Sequence, residues 1–356
     1  MTVDEITVRI DKVVAEGDGL GRLPDGRVVF VERALPGELV AIRIVKQSKD
    51  YARAEIVGIL EANDRRVEPS CPYVAAGCGG CDLQHAAVDL QRKIKHDIVL
   101  ESLVRLGKLI DPRVFDCPDD LPIDSCRTTM RWAIDDDGAL GFRAHRSHHV
   151  VPVDDCLVAD PALRALRHSL APVAHSGVEE INLRVAEATG EKSAWWEPND
   201  VPLCDVPAPT QVGPQGVVHE EIDGQRLRVS AASFFQASPA GAAALVRAVR
   251  RAAGDPATWT SDPVIDLYGG VGLFAATVVP PDHPVIVVES NESAVAATRA
   301  PVVVLVSCDP ASLGRDVGLL ARAGYRFEYT EVLDLFPHTH HVEAVSRFVR
   351  DDRLSS

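Results

Sequence analysis

Residues 263–290 read PVIDLYGGVGLFAATVVPPDHPVIVVES: a Val/Ile run, a glycine-rich turn, a short apolar stretch of helical character, a proline turn and a second Val/Ile run. Just before it, PAGAAALVRAVRRAAG (239–254) has the apolar spacing of an amphipathic helix. Just after it come a helical stretch, ESAVAATRA (292–300), and a third strand-like run, PVVVLVSCDP (301–310). Continuous Val/Ile runs separated by helices are what a parallel sheet covered on both faces requires, so residues 236–356 are expected to form a doubly wound α/β domain.

The rhythm is different upstream. Residues 120–235 alternate short strand-like runs (RWAIDD, LGFRAH, HHVVPVDD, EINLRVAE, QRLRVS) with Pro and Gly turns, which predicts a mixed, mainly antiparallel domain. Within it, 199–216 is a Pro-rich loop without packing periodicity. The stretch AAVDLQRKIKHDIVLESLVRLGK (86–108) carries apolar residues at helical spacing and is expected to be one long helix. Residues 3–58 alternate apolar and polar positions between Gly and Pro turns, the pattern of a small β-barrel. Three units follow: 1–59, 60–235 and 236–356.

The chain has 356 residues, 46% of them hydrophobic, enough to build several cores. Its first residues, MTVDEITVRIDK, are charged and alternating, unlike a secretion signal. No run of about 18 apolar residues occurs, which argues against a membrane span, and the cytoplasm is the expected compartment. The eight cysteines are then expected as thiols, metal ligands or catalytic groups, not disulfides. With 37 Lys and Arg against 52 Asp and Glu, the net charge is −15, the wrong sign for bulk attraction to phosphate. A nucleic-acid partner therefore needs a local basic face, for which Arg127, Arg131, Arg143 and Arg146 are the candidates.

Cys71, Cys78 and Cys81 are spaced C-x6-C-x2-C, and Cys156 ends the later strand-like run VPVDDC. Three thiolates within a few residues can wrap an inorganic centre and a fourth can close it. Both zinc and an iron–sulfur cluster accept four thiolates, and buried unliganded thiols are the third possibility. In 265–272, IDLYGGVG, glycines after a strand allow a ligand close to the backbone. Glu289 ends the next strand 23 residues after Asp266, where an acidic side chain can accept hydrogen bonds from ribose hydroxyls. Cys308, in VSCDPASLGRD (306–316), lies just past the carboxyl end of a strand, where open α/β sheets place their active sites.

These motifs resemble those of the S-adenosylmethionine-dependent RNA uracil-C5 methyltransferases, which act on 23S ribosomal RNA or transfer RNA. GDGLGR (17–22), RVVFV (27–31) and ALPGE (34–38) are similar to the TRAM module, an OB-like barrel, and imply RNA contact. CPYVAAGCGGCDLQH (71–85) is similar to the family's [4Fe–4S] loop, with the fourth ligand after a segment like GFRAHRSHHVVPVDDC (141–156). The resemblance implies S-adenosylmethionine binding by Gln236 in SFFQ, by Tyr268 and by Glu289. It also implies Cys308 as nucleophile and Glu343, in FPHTHHVEAV (336–345), as base. Uracil C5 is a poor nucleophile; adding a thiolate to C6 makes C5 enolate-like, and a base must later remove the C5 proton.

The chain departs from the family in one place. About 60 residues, two strand–helix units, are expected between the helix after Glu289 and the strand leading to Cys308. Only Ala300 and Pro301 stand there, and the family's D-P-P-R motif has no counterpart. The expected architecture is thus α/β overall: an OB-like TRAM barrel, a mixed α+β central domain with a cysteine cluster, and a Rossmann-like methyltransferase domain truncated in its middle. The expected partner is RNA, ribosomal before transfer, with no membrane and no obligate protein partner. Two other classes are weighed: a non-catalytic RNA-binding iron–sulfur protein, and a DNA cytosine-C5 methyltransferase, which the barrel and cysteine cluster disfavour.

Overall fold

The computed structural model describes residues 6–288 and 300–351. The alternating N-terminal runs become β1 (Ile6–Val13), β2 (Gly19–Arg22), β3 (Val28–Val31), β4 (Leu39–Gln47) and β5 (Tyr51–Glu61). They close into a barrel of order β1-β2-β3-β5-β4, which leaves no open edge. Alternate residues, among them Val8, Ile10, Val29, Val31, Val40, Ile42, Ala52 and Ala54, fill its interior.

The ALPGE turn is locked by a buried carboxylate. Glu38 accepts the backbone N–H groups of Leu35 at 2.9 Å and Asn63 at 3.1 Å, and Arg66 Nε at 2.6 Å. Burial acts to raise its pKa, but Arg66 and the two backbone donors outweigh burial and hold the carboxyl below the ordinary range.

A short helix, α1 (Pro72–Ala75), opens the cysteine loop, and the long predicted helix forms as α2 (Val88–Arg105). This helix is the beam of the molecule. Ile94 and Ile98 pack with Leu35 of the barrel and Leu83 of the cysteine loop, while Val99 and Leu103 pack with Leu313 and Val317 near the C-terminus. Each such fully buried aliphatic side chain contributes roughly 1.5–3 kcal/mol. The chain then gives β6 (Val114–Asp116) to the C-terminal sheet before entering the central domain.

That domain is built from β7 (Thr129–Ile134), β8 (Leu140–Arg143), β9 (Val150–Pro152), α3 (Pro161–His168), β10 (Glu180–Val185), β11 (Lys192–Trp196) and β12 (Gln211–Val212). The sheet order is β12-β11-β10-β7-β8-β9, antiparallel except for β11–β12. The Pro-rich stretch 199–216 is thus not wholly irregular, since β12 lies within it. A hairpin of β13 (Val217–Ile222) and β14 (Gln225–Ser230) leads to α4 (Pro239–Ala253).

Beyond α4 the expected single parallel sheet is not found. The run 263–290 gives β15 (Val264–Leu267), α5 (Leu273–Thr277) and β16 (Val285–Val288), and the two strands pair in parallel as a two-stranded sheet. The third Val run, β17 (Val302–Ser307), is followed by α6 (Pro310–Arg322), β18 (Tyr325–Leu333) and β19 (Glu343–Arg350). It belongs to a separate sheet of order β17-β19-β18-β6, in which β17 runs antiparallel to β19. Helix α4 packs under both: Val246 joins the cluster of Leu273, and Leu245 and Val249 that of Val304, Val306 and Val345. The physical consequence is exposure. Ile265, Val285, Ile286 and Val287 face solvent, and all six residues of β17 are only half-buried. The helix read over 292–300 lies outside the described residues.

Glu38→Gln is expected to lower the unfolding free energy by about 3 kcal/mol near neutral pH, because Arg66 loses its buried partner. The stabilisation exists only while Glu38 is ionised, so the deficit should shrink as pH falls through the lowered pKa. Urea unfolding of both proteins at neutral and acid pH checks this; equal stability at neutral pH contradicts it.

Candidate active site

Strand pairing brings the two predicted catalytic residues together. In the β17–β19 ladder Val306 faces Val345 and Ser307 faces Ala344; one step further along the same register, Cys308 comes alongside Glu343. Cys308 is exposed, past the strand end, and Asp309 caps α6 by accepting the Ala311 N–H at 2.8 Å and the Ser312 hydroxyl at 2.6 Å. The thiol pKa is raised by partial burial first and by the Glu343 charge next, which shows the two groups within electrostatic reach. Glu343 itself is 6% exposed, and burial pushes its pKa up to about 7. A carboxyl poised at neutrality is suited to general-base work.

The loop that delivers Glu343, Phe336–Val342, is held by residues that the sequence patterns did not single out. Lys95 of α2, fully buried, pairs with Asp334 and donates to the Phe336 carbonyl at 2.8 Å. Gln91 accepts the His338 N–H at 2.9 Å, and His338 Nε2 meets Asp124 Oδ1 at 3.1 Å. A buried lysine and glutamine on a helix otherwise apolar at those heights are the one sequence signal that could have found this support.

The two described donor-site candidates lie on the loops at either end of one packed cluster. Tyr268, 56% exposed, sits at φ +58° in the turn after β15, and its N–H donates to the Val288 carbonyl at 2.6 Å. Exposure on that scale excludes a role as a packed core aromatic. Gly269 is required there, because a Cβ would stand 2.5 Å from Val287 Cγ1. Gln236 is half-buried in the loop between β14 and α4, and its neighbour Phe235 shares a cluster with Leu273 and Val271 of the glycine turn. Arg184 supports that loop from below, donating to the carbonyls of Ser233 at 2.9 Å and Ser230 at 3.4 Å. Glu289, the third candidate, lies outside the described residues.

The four cysteines converge as well. Burial raises the pKa of Cys78, Cys81 (to about 12) and Cys156, and the neighbouring thiols add to each: Cys71 on Cys78, Cys156 and Cys78 on Cys81, Cys71 and Cys78 on Cys156. A cation among them would reverse that penalty, so the donor set fits an all-thiolate centre. Among the described residues no group of three or more His, Cys, Asp or Glu is drawn together around a single metal ion. Of the two loop glycines, Gly79 is needed for close approach and not for wrapping a metal: a Cβ would stand 2.6 Å from the Arg143 carbonyl oxygen.

The expected basic face is largely neutralised. Arg143 pairs with Glu180 and Glu179, Arg131 reaches Glu180 at 3.4 Å, and Arg146 pairs with Asp18 at 2.8 Å and Glu16 at 3.3 Å. Arg127 lies over the Phe336 ring, 5.9 Å from its centroid.

With this geometry in hand, the likenesses to known proteins fall into place. Residues 1–57 match the TRAM domain. An uncharacterized RNA methyltransferase of Streptomyces avermitilis is 31% identical over 427 aligned positions, which take in 96% of this chain and 98% of that protein. The alignment is longer than the chain, so parts of the relative have no counterpart here. A 23S rRNA (uracil(1939)-C(5))-methyltransferase RlmD of Chromohalobacter salexigens is 28% identical over 96% of this chain and 89% of its own length. In fold, the chain is similar to the Pyrococcus abyssi tRNA (uracil-54, C5)-methyltransferase crystallised with S-adenosyl-L-homocysteine, with a TM-score of 0.66 and 21% identity, over 97% of this chain and 99% of that one. The chain is a TRAM-bearing member of the S-adenosylmethionine-dependent RNA methyltransferase family.

Proposed function

We propose that the chain transfers a methyl group from S-adenosylmethionine to C5 of a uracil in RNA, at a rate reduced by a break in the methyltransferase sheet. The single observation that carries the chemistry is the β17–β19 register, which sets an exposed thiol beside a buried carboxyl poised near neutrality. Cys308 as thiolate adds to C6, and the ring electrons then reach C5. C5 takes the methyl group from the sulfonium, which leaves as a neutral thioether. Glu343 removes the C5 proton, the C5–C6 double bond re-forms and the C6–S bond breaks, returning the thiolate. Gln236, Tyr268 and Glu289 are the donor-binding side chains in this proposal.

Cys71, Cys78, Cys81 and Cys156 would hold a [4Fe–4S] cluster, which supplies a rigid cross-link between the cysteine loop and the central sheet. A single zinc ion would need its four sulfurs about 3.8 Å apart around it, given Zn–S bonds of about 2.3 Å. The resemblance of the cysteine loop to that of the uracil-methylating enzymes is what favours the cluster over zinc. Three units, 1–59, 60–235 and 236–356, are proposed, with α2 and β6 of the second built onto the third. Ribosomal RNA is favoured over transfer RNA, because a barrel joined to a cysteine cluster resembles the ribosomal enzymes more.

The reduced rate follows from the separation of β15–β16 from β17. The donor turn sits on one piece and the nucleophile on the other, joined through α4, and displacement of reacting groups by about 1 Å costs on the order of a hundredfold. We attribute the break to two strand–helix units absent between residues 300 and 302. The same break favours a second reading, a non-catalytic RNA-binding protein that retains the barrel and cysteine centre.

Incubation with RNA and labelled donor, read by mass spectrometry, is expected to yield 5-methyluridine at less than about 0.1 per second, a hundredfold below a typical turnover of about 10 per second. Cys308→Ala should abolish the product; product formation by that variant sinks the adduct mechanism. Titration calorimetry with S-adenosyl-L-homocysteine separates the two readings, since a pure RNA binder has no measurable donor affinity. Glu343→Gln should also be more stable than the parent at pH values above about 7 and indistinguishable at about pH 4. A carboxyl with a raised folded-state pKa loses stability as pH climbs through it, here by up to about 3 kcal/mol. Equal thermal midpoints at alkaline pH would contradict the buried carboxyl.

A further inference from the structure

The strap between β18 and β19 ends on Glu343, yet its firmest attachment is to the cysteine loop. The backbone N–H groups of Asp82 and Leu83 donate to the His338 carbonyl at 3.0 and 2.9 Å. In return Asp82 Oδ1 accepts the His340 N–H at 2.8 Å, and its Oδ2 meets His340 Nδ1. His338 is held at φ +65°, a conformation that a non-glycine residue keeps only when its surroundings impose it. Gly17 of the barrel roofs the pair so closely that a Cβ there would stand 3.1 Å from Asp82 Oδ2 and 3.3 Å from His340 Nδ1.

We infer that the Asp82–His340 pair is the joint through which the cysteine loop fixes the place of Glu343. Asp82 and His340 are then positioning residues for the base, which rests on the role of Glu343 proposed above. Asp82 follows Cys81 directly, so one peptide unit separates a thiol of the cysteine centre from the joint. Two residues, His341 and Val342, separate His340 from Glu343, the first residue of β19. Any displacement of Cys81 therefore reaches the base with almost no slack. A cysteine centre remote from Glu343 in sequence acquires a function in methyl transfer without touching substrate.

Besides Asp82 and His340 themselves, the charged and titratable groups at the strap are the paired Lys95 and Asp334, Arg127 over Phe336, Asp124 on His338, His341 stacked on His340, and Asp309 beside Cys308. None of them is altered by the substitutions below. The readout is the alkylation rate of Cys308 by iodoacetamide, followed on its peptide by mass spectrometry from about pH 5 to 9 in the whole protein, since the thiolate is the reacting form. Ionisation of Glu343 near pH 7 lowers the thiolate fraction of Cys308 and leaves an inflection in the profile. Glu343→Gln is expected to remove that inflection.

Asp82→Asn and His340→Gln should each move it to lower pH by about one unit or more, toward the ordinary Glu value of about 4.3, as the released strap admits water. The double variant should shift it no further than either single one, the mark of a shared interaction. A lost or moved inflection in either single variant with an unchanged thermal midpoint supports the joint, so His340→Gln serves if Asp82→Asn folds poorly. An unmoved inflection in His340→Gln, with Glu343→Gln still removing it, overturns the joint alone. A parent profile without the inflection, identical to that of Glu343→Gln, overturns instead the pairing of Cys308 with Glu343.

Discussion

The proposed catalytic pair of this chain depends on the antiparallel ladder between β17 and β19. Its six paired positions run from Val302–Val349 to Ser307–Ala344, and a slip of one residue would turn every side chain of one strand to the opposite face. Cys308 and Glu343 are 35 positions apart in sequence, and neither α6 nor the strap alone could bring them together. The partner strand β18 extends the ladder and sets Leu333 against Glu343, so the carboxyl is desolvated by the same sheet that positions it. Burial raises its pKa without help from any neighbouring charge.

The same sheet shows what the chain lacks. Purely Val/Ile strands are stable when helices cover both faces and further strands cover both edges. Here β15–β16 and β17–β19–β18–β6 each stop short, and their apolar residues stay partly wet. Helix α4 holds the two pieces against one another through opposite sides, Val246 toward the donor turn and Leu245 toward β17. One helix can fix the distance between two sheets; it fixes their relative twist far less well, because among the described residues no backbone hydrogen bond crosses the break. The proposed donor turn and nucleophile are therefore joined by side-chain packing where a continuous sheet would join them by a ladder.

The sequence was most readable where local pattern and tertiary role agree. The alternation in residues 3–58 determines a barrel because only closure satisfies its edges, and the spacing in 86–108 determines a helix whatever it packs on. Cys308 and Glu343 were legible through their motifs, and the register that joins them was not, since pairing of β17 with β19 instead of β15 depends on strands that are missing. Val/Ile runs report burial and say nothing about which neighbour supplies it. The arginines of 127–146 misled for a related reason: a run of like residues looks like a binding face until Glu16, Asp18, Glu179 and Glu180 arrive from elsewhere in the fold. Lys95 and Gln91 were passed over because single polar residues on a helix usually face water, and here they face the strap.

The proximity of two acids imposes an order on the proposed reaction. The charge of Glu343 disfavours ionisation of Cys308, after burial. A thiolate is thus paired most readily with a neutral carboxyl, the arrangement that attack on C6 needs, when a negative Glu343 would repel the incoming electron-rich ring edge. Once the C6–S bond has formed, the sulfur is neutral and the cost of ionising Glu343 falls. The carboxylate then appears at the stage when the C5 proton must leave. In the proposed reaction, electrostatic coupling between Cys308 and Glu343 would let one buried carboxyl serve in two protonation states within a single turnover, without a second base.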